Sequence, residues 1–162
     1  MCRFKKLLVG LLASTVLLCS CSEKKDYSEF ENSVNAFCDK IAELDNSMNC
    51  IIATADDAKK QLLGFLDELD NQFSSFSILD FPEEFDYLES VADEAADYMK
   101  EAVSYYHKTY EPDLGIDDES IQYAEQYYER AYKRIKLIIS VLQGNEPDNV
   151  VAESNDSLQE QE

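Results

Sequence analysis

The chain has 162 residues with 34 Asp+Glu against 14 Lys+Arg, a formal charge of −20 with its one histidine neutral, and 45% hydrophobic residues. That is enough apolar material for one packed domain, and too much negative charge for a partner such as nucleic acid or an anionic lipid surface. No stretch alternates apolar and polar residues in the way a half-buried strand would.

The chain opens with a short basic start, Arg3, Lys5 and Lys6, followed by an apolar run from Leu7 to Leu18 and then Cys19-Ser20-Cys21. A dozen apolar residues are well short of the roughly 20 that span a bilayer, and the flanks are those of an export signal. The end of the run resembles the lipobox of bacterial lipoproteins, with an aliphatic residue three places before a cysteine and a small residue directly before it. Cys21 meets both conditions through Leu18 and Ser20, whereas Cys19 follows the bulky Leu18. The resemblance implies cleavage of residues 1–20 and a diacylglycerol thioether on Cys21. It also implies a protein held on the exported side of the bacterial cell membrane or the outer membrane, since two or three acyl chains anchor durably. The alternatives are a plain secretory signal and a short uncleaved anchor.

Cleavage leaves 142 residues with 11 Lys+Arg against 34 Asp+Glu, a formal −23. The membrane contact of such a chain falls to the fatty acids. Residues 21–27 are long enough for a tether and no more.

From residue 28 the apolar spacing becomes helical. Phe30, Val34, Phe37, Ile41, Leu44, Met48, Ile51, Ala55, Ala58, Leu62, Phe65 and Leu69 alternate steps of four and three without a slip, a heptad seam. The spacing predicts a first helix from about 28 to 77, near 75 Å long at 1.5 Å per residue. A second run follows Pro82 through Phe85, Leu88, Ala92, Ala95, Met99, Ala102 and Tyr106 and ends near Glu111, before Pro112. A third opens at the N-cap candidates Asp117 or Asp118 and passes through Ile121, Ala124, Tyr128, Ala131, Ile135, Ile138 and Leu142 to Gly144. Each of these is near 40 Å, so the first helix either overhangs them or breaks. The weak point is Asp45-Asn46-Ser47-Met48-Asn49, poor helix formers. Because the seam crosses it intact, the expectation is an all-α antiparallel three-helix bundle over residues 28–144 with a long first helix; the alternative is a four-helix bundle broken near 45–49. Residues 145–162 hold no aromatic and many Asp, Glu, Gln, Asn and Ser, the composition of a disordered acidic tail.

Catalytic chemistry finds few residues to use. His107 is the sole histidine and lies among Tyr105, Tyr106 and Tyr110; Ser104 stands where a di-iron bundle's Glu-x-x-His motif needs Glu. No glycine-rich turn presents a serine, and Cys38 and Cys50 sit in a helical segment. The reading is a non-enzyme without cofactor or metal site. Asp93, Glu94 and Asp97 read as a solvated face, and Asp113 to Glu119 echoes a calcium loop only faintly.

Three features bear on partners. Cys38 and Cys50 form a candidate disulfide in an exported protein, but on one straight helix they lie about 18 Å apart along the axis, against the ~7 Å between Cα atoms that a bridge tolerates. Arg130, Lys133, Arg134 and Lys136 form a basic patch on the third helix, near the end where cations suit the dipole. Ten tyrosines are the unusual surface signal. Tyr98, Tyr105, Tyr127 and Tyr132 stand beside the seams, either as a core edge or as a partner face offering large contact area at low entropic cost. The functional expectation is a lipid-anchored protein-interaction or structural module; the alternative is a carrier of a small ligand or divalent cation.

Overall fold

A computed structural model describes residues 27–110 and 118–145. The lipidation candidate Cys21, the tether up to residue 26, residues 113–117 of the calcium-loop echo and the acidic tail from 146 onward lie outside the described residues.

Four α-helices carry the described chain: α1 Ser28–Asn49, α2 Ala58–Ser77, α3 Glu89–Thr109 and α4 Asp118–Leu142, with a 3-10 helix, Glu83–Leu88, leading into α3. No strand occurs among the described residues, so the all-α helical bundle is as the periodicity predicts. The expected continuous helix from 28 to 77 is instead two helices separated by Cys50–Asp57. The interruption comes just after the Asp45–Asn49 run of poor helix formers, whose residues remain inside α1.

Consecutive helices pack on one another, and α3 with α4 make the most extensive contact. Each pair is antiparallel, as short connections require. Phe37 of α1 meets Phe73 and Phe76 of α2, with ring centroids 5.5 and 4.3 Å apart. Late α3 meets early α2, where Lys59 Nζ lies over the Tyr110 ring and Asp67 meets His107. Early α3 meets late α4 through Glu94 and Arg134.

The helix boundaries follow local chemistry. Pro82, at φ −57 and ψ 146, directs the chain into the 3-10 turn and then α3. At the other end of the domain α4 closes in a Schellman motif. The amide of Asn145 donates to Ser140 O and that of Gly144 to Val141 O, with Gly144 at φ 86, where a Cβ would be strained.

The buried core is the predicted seam with additions. Val34, Ile41 and Leu69 are sealed, as are Ala92, Ala95, Met99, Ala102, Ala124, Ala131, Ile135 and Ile138. Met48, Ile51 and Phe65 are half-buried at its edge; Leu66, Phe73 and Phe81 join the core although the heptad steps pass over them, and Phe76 joins it one heptad beyond Leu69. Five of the fully buried residues of α3 and α4 are alanine, which lets the two helices approach closely. Ala95→Leu therefore forces about three more heavy atoms into a filled seam, and the expected loss is ~1–3 kcal/mol, read as a lowered thermal midpoint by circular dichroism.

Candidate functional site

Alanine at the α3–α4 seam moves the bulky side chains to its flank. There Tyr98 and Tyr105 of α3 interleave with Tyr123 and Tyr127 of α4 in one continuous ladder. Tyr105 lies between Tyr123, at 5.3 Å between centroids, and Tyr127, at 5.8 Å and 9° between planes, while Tyr127 continues to Tyr98 at 6.1 Å. Cations cover the ladder. The Arg130 guanidinium lies 5.5 Å from the Tyr127 centroid and 5.9 Å from that of Tyr98, Arg134 lies 5.9 Å from Tyr98, and Lys108 Nζ lies 4.4 Å over Tyr105. The Arg134 Nε–H also donates to Glu94 Oε2 at 2.6 Å. Such contacts contribute roughly 0.5–1 kcal/mol each where water reaches them.

Three of the four tyrosines expected to share a face do so. Tyr132 does not, because five residues beyond Tyr127 the helix has turned about 140° from it. Tyr123, four residues before Tyr127 and 41% exposed, takes the place instead. Arg130 and Arg134, which the sequence presents as a basic patch, are ladder residues; Lys136 is exposed and Lys133 half-buried.

Tyr132 belongs to a second feature on the far side of α4. Asp45 of α1 is buried, 5% exposed, and its Oδ1 accepts from Tyr128 Oη at 2.8 Å and from Tyr132 Oη at 2.9 Å. The two phenol oxygens are 3.2 Å apart and their rings stack at 4.7 Å, with Tyr132 also 5.6 Å from the Phe73 ring. Two hydroxyl protons are available, and an ionised Asp45 draws both of them. Burial raises the Asp45 pKa above its usual carboxylate value while the two tyrosine hydrogen bonds oppose the rise. Burial, reinforced by the Asp45 charge, pushes both phenols up, so they stay protonated donors.

The sequence shows Asp45 as a poor helix former and gives no hint of this role. The signal it did contain was a charged residue directly beside the seam position Leu44, opposite a Tyr pair at i and i+4.

Cys38 and Cys50 are both free thiols, so the candidate disulfide is not formed. α1 runs unbroken from Ser28 to Asn49, which carries Cys50 about 18 Å along the axis from Cys38. Cys38 is buried, and burial pushes its thiol up to about 11, the environment of an inert sulfur. His107 Nε2 is 2.6 Å from Asp67 Oδ1 across the α2–α3 groove, both half-exposed. Among the described residues no group of three or more His, Cys, Asp or Glu is placed to hold a metal ion, and no helix is long and apolar enough to cross a membrane.

Comparisons with protein-family models, with curated proteins and with solved structures find no match for this chain.

The buried carboxylate makes two expectations. Tyr128→Phe removes a hydrogen bond to a buried charge and costs about 2 kcal/mol in chemical denaturation, and adding Tyr132→Phe gives a non-additive loss because both phenols serve one oxygen. Asp45→Asn reports the sign of the titration. A folded pKa raised above the unfolded value means that ionisation opposes folding at neutral pH. The stability of the native chain relative to Asp45→Asn therefore rises as pH falls from 7 through the folded pKa, and levels off below the unfolded value near 4.

Proposed function

We propose that the chain is an exported, lipid-anchored protein of the bacterial cell envelope that acts as a non-enzymatic protein-interaction module, with the tyrosine–cation ladder of α3 and α4 as its partner face. Cys21 carries the lipid, residues 22–27 tether the domain, and the four helices act as a single four-helix bundle in which α1 folds back along α2. The pairing of Phe37 with Phe73 and Phe76 supports the four-helix form over three helices with a bent first member.

The observation that carries the reading is the ladder itself. Tyrosine and arginine are the residue types that dominate binding energy at protein interfaces, and here Tyr98, Tyr105, Tyr123, Tyr127, Arg130 and Arg134 are contiguous on a chain whose surface is otherwise strongly acidic. Their rings are fixed against one another, so little side-chain entropy remains to be lost on binding.

Two measurements separate the parts of this proposal. Cys21→Ser abolishes incorporation of a labelled fatty acid and moves the protein from the membrane to the soluble fraction; continued labelling would defeat the lipid assignment. With the anchor intact, Tyr105→Ala combined with Arg130→Glu lowers in-cell crosslinking to a reproducible partner at least about tenfold without loss of helicity, whereas Gln61→Ala on α2 leaves it unchanged.

A further inference from the structure

The heptad seam is continuous where the helix is not. Leu44, Met48, Ile51, Ala55, Ala58 and Leu62 keep the steps of four and three straight through Cys50–Asp57, the stretch that separates α1 from α2. Nothing in that stretch is built to stop a helix. It holds no glycine and no proline. α1 ends at Cys50 with φ −86 and ψ −5, still right-handed, its amide donating to Asn46 O and Ser47 O. α2 begins after Asp57 with no side-chain cap bond. The end of α4 is the contrast, since its Schellman motif with Gly144 at φ 86 is a built stop. The reversal between α1 and α2 rests on single-turn bonds, Ile51 N to Met48 O, Ala55 N to Ile52 O and Ala58 N to Ala55 O. Ile52 is left 70% exposed.

We infer that Cys50–Asp57 is a hinge through which two copies of this chain exchange α1. With the hinge extended, α1, hinge and α2 form one helix of about 75 Å, and α1 docks on α2 and α4 of the second copy. Every core contact that α1 makes in the closed form is then remade between copies, while α2, α3 and α4 keep theirs within each chain. Asp45 of one chain receives Tyr128 and Tyr132 of the other, and Phe37 stacks on the other chain's Phe73 and Phe76.

The geometry fits a twofold axis. Because Phe37 pairs with Phe73 and Phe76, the pairing of α1 with α2 is centred near residues 55 and 56, which brings Ala55 of each copy to the crossing of the two long helices. A small residue there lets them close. The overhang that a 75 Å helix would leave on a single copy is covered by the second. Closed and exchanged forms differ in the hinge and in their dependence on concentration, the two terms that govern helix exchange. Asp56 and Asp57 oppose the dimer by mutual repulsion, which salt screens.

The test uses the full chain purified in detergent, with its mass followed by light scattering against protein concentration at low and high salt. The expected result is a dimer fraction that grows with concentration and with salt. Asn49→Ala with Thr54→Ala, which raises helix propensity across the hinge, increases it severalfold. Ala53→Pro has the opposite effect. Residue 53 is the second position of the Ile52–Ala55 turn, where proline is favoured and whose amide the turn bond does not use, but proline cannot sit inside the long helix. That variant stays folded and monomeric. In a Cys50→Ser background, Ala55→Cys gives a reducible dimer band that Ala53→Pro removes. The inference is overturned if the native chain and the Asn49→Ala, Thr54→Ala variant are both monomeric throughout, or if a dimer persists undiminished in Ala53→Pro.

Discussion

The close approach of α3 and α4 is the constraint on which the rest of this bundle depends. Ala92, Ala95 and Ala102 of α3 and Ala124 and Ala131 of α4 are all fully buried, and small side chains let these two helices draw together. Two consequences follow from that asymmetry. On the outer flank, residues too large for the seam line up as the tyrosine ladder. On the opposite side α4 is held away from α1, and the wider seam is filled by long side chains, Tyr128 and Tyr132, that reach across to Asp45. A bundle with evenly sized seam residues would have neither feature.

A buried carboxylate is a poor source of net stability, since taking a charge out of water costs several kcal/mol before any partner is counted. What Asp45 supplies is discrimination between arrangements. Hydrophobic seams with heptad spacing tolerate a two-turn slip, because the same residue types meet again after seven residues. A slip of α1 against α4 would leave Asp45 in the core without its phenols, and an unpaired buried charge is far costlier than a misplaced leucine. The polar triad thus fixes register where shape alone does not, in the manner of a polar residue at one core position of a coiled coil.

Much of the fold was legible because amphipathic spacing is a direct imprint of burial. In α3 and α4 every predicted seam residue from Leu88 to Tyr106 and from Ala124 to Leu142 is buried. The interruption after Asn49 was harder to read, since the force that decides it is not local. Helix continuation and helix reversal use the same apolar positions, and the choice turns on whether α1 finds its partners within the chain. Phe73 and Phe76 show the same limit. Phe76 continues the seam one heptad beyond Leu69 and Phe73 lies beside it, but the closure they make, Phe73 on Phe37 and Phe76 on Phe37 and Phe81, is a contact no single-helix pattern encodes. Of the candidate face, Tyr98, Tyr105 and Tyr127 were legible from spacing. Tyr132 was misplaced because proximity to a seam does not say which side of it a ring lies on.

The charge distribution ties these features together. Between residues 61 and 99 the chain carries eleven acidic residues and no Lys or Arg. Cations are therefore scarce where the bundle's own repulsion is strongest, and Glu94 obtains its partner, Arg134, from the neighbouring helix. Arg130, Arg134 and Lys108 lie over tyrosine faces. A guanidinium over a ring keeps much of its charge available to an approaching group while its methylene stem covers apolar surface. On a chain of formal charge −20 that makes the α3–α4 flank the place where the negative field is locally relieved, with rings and cations side by side.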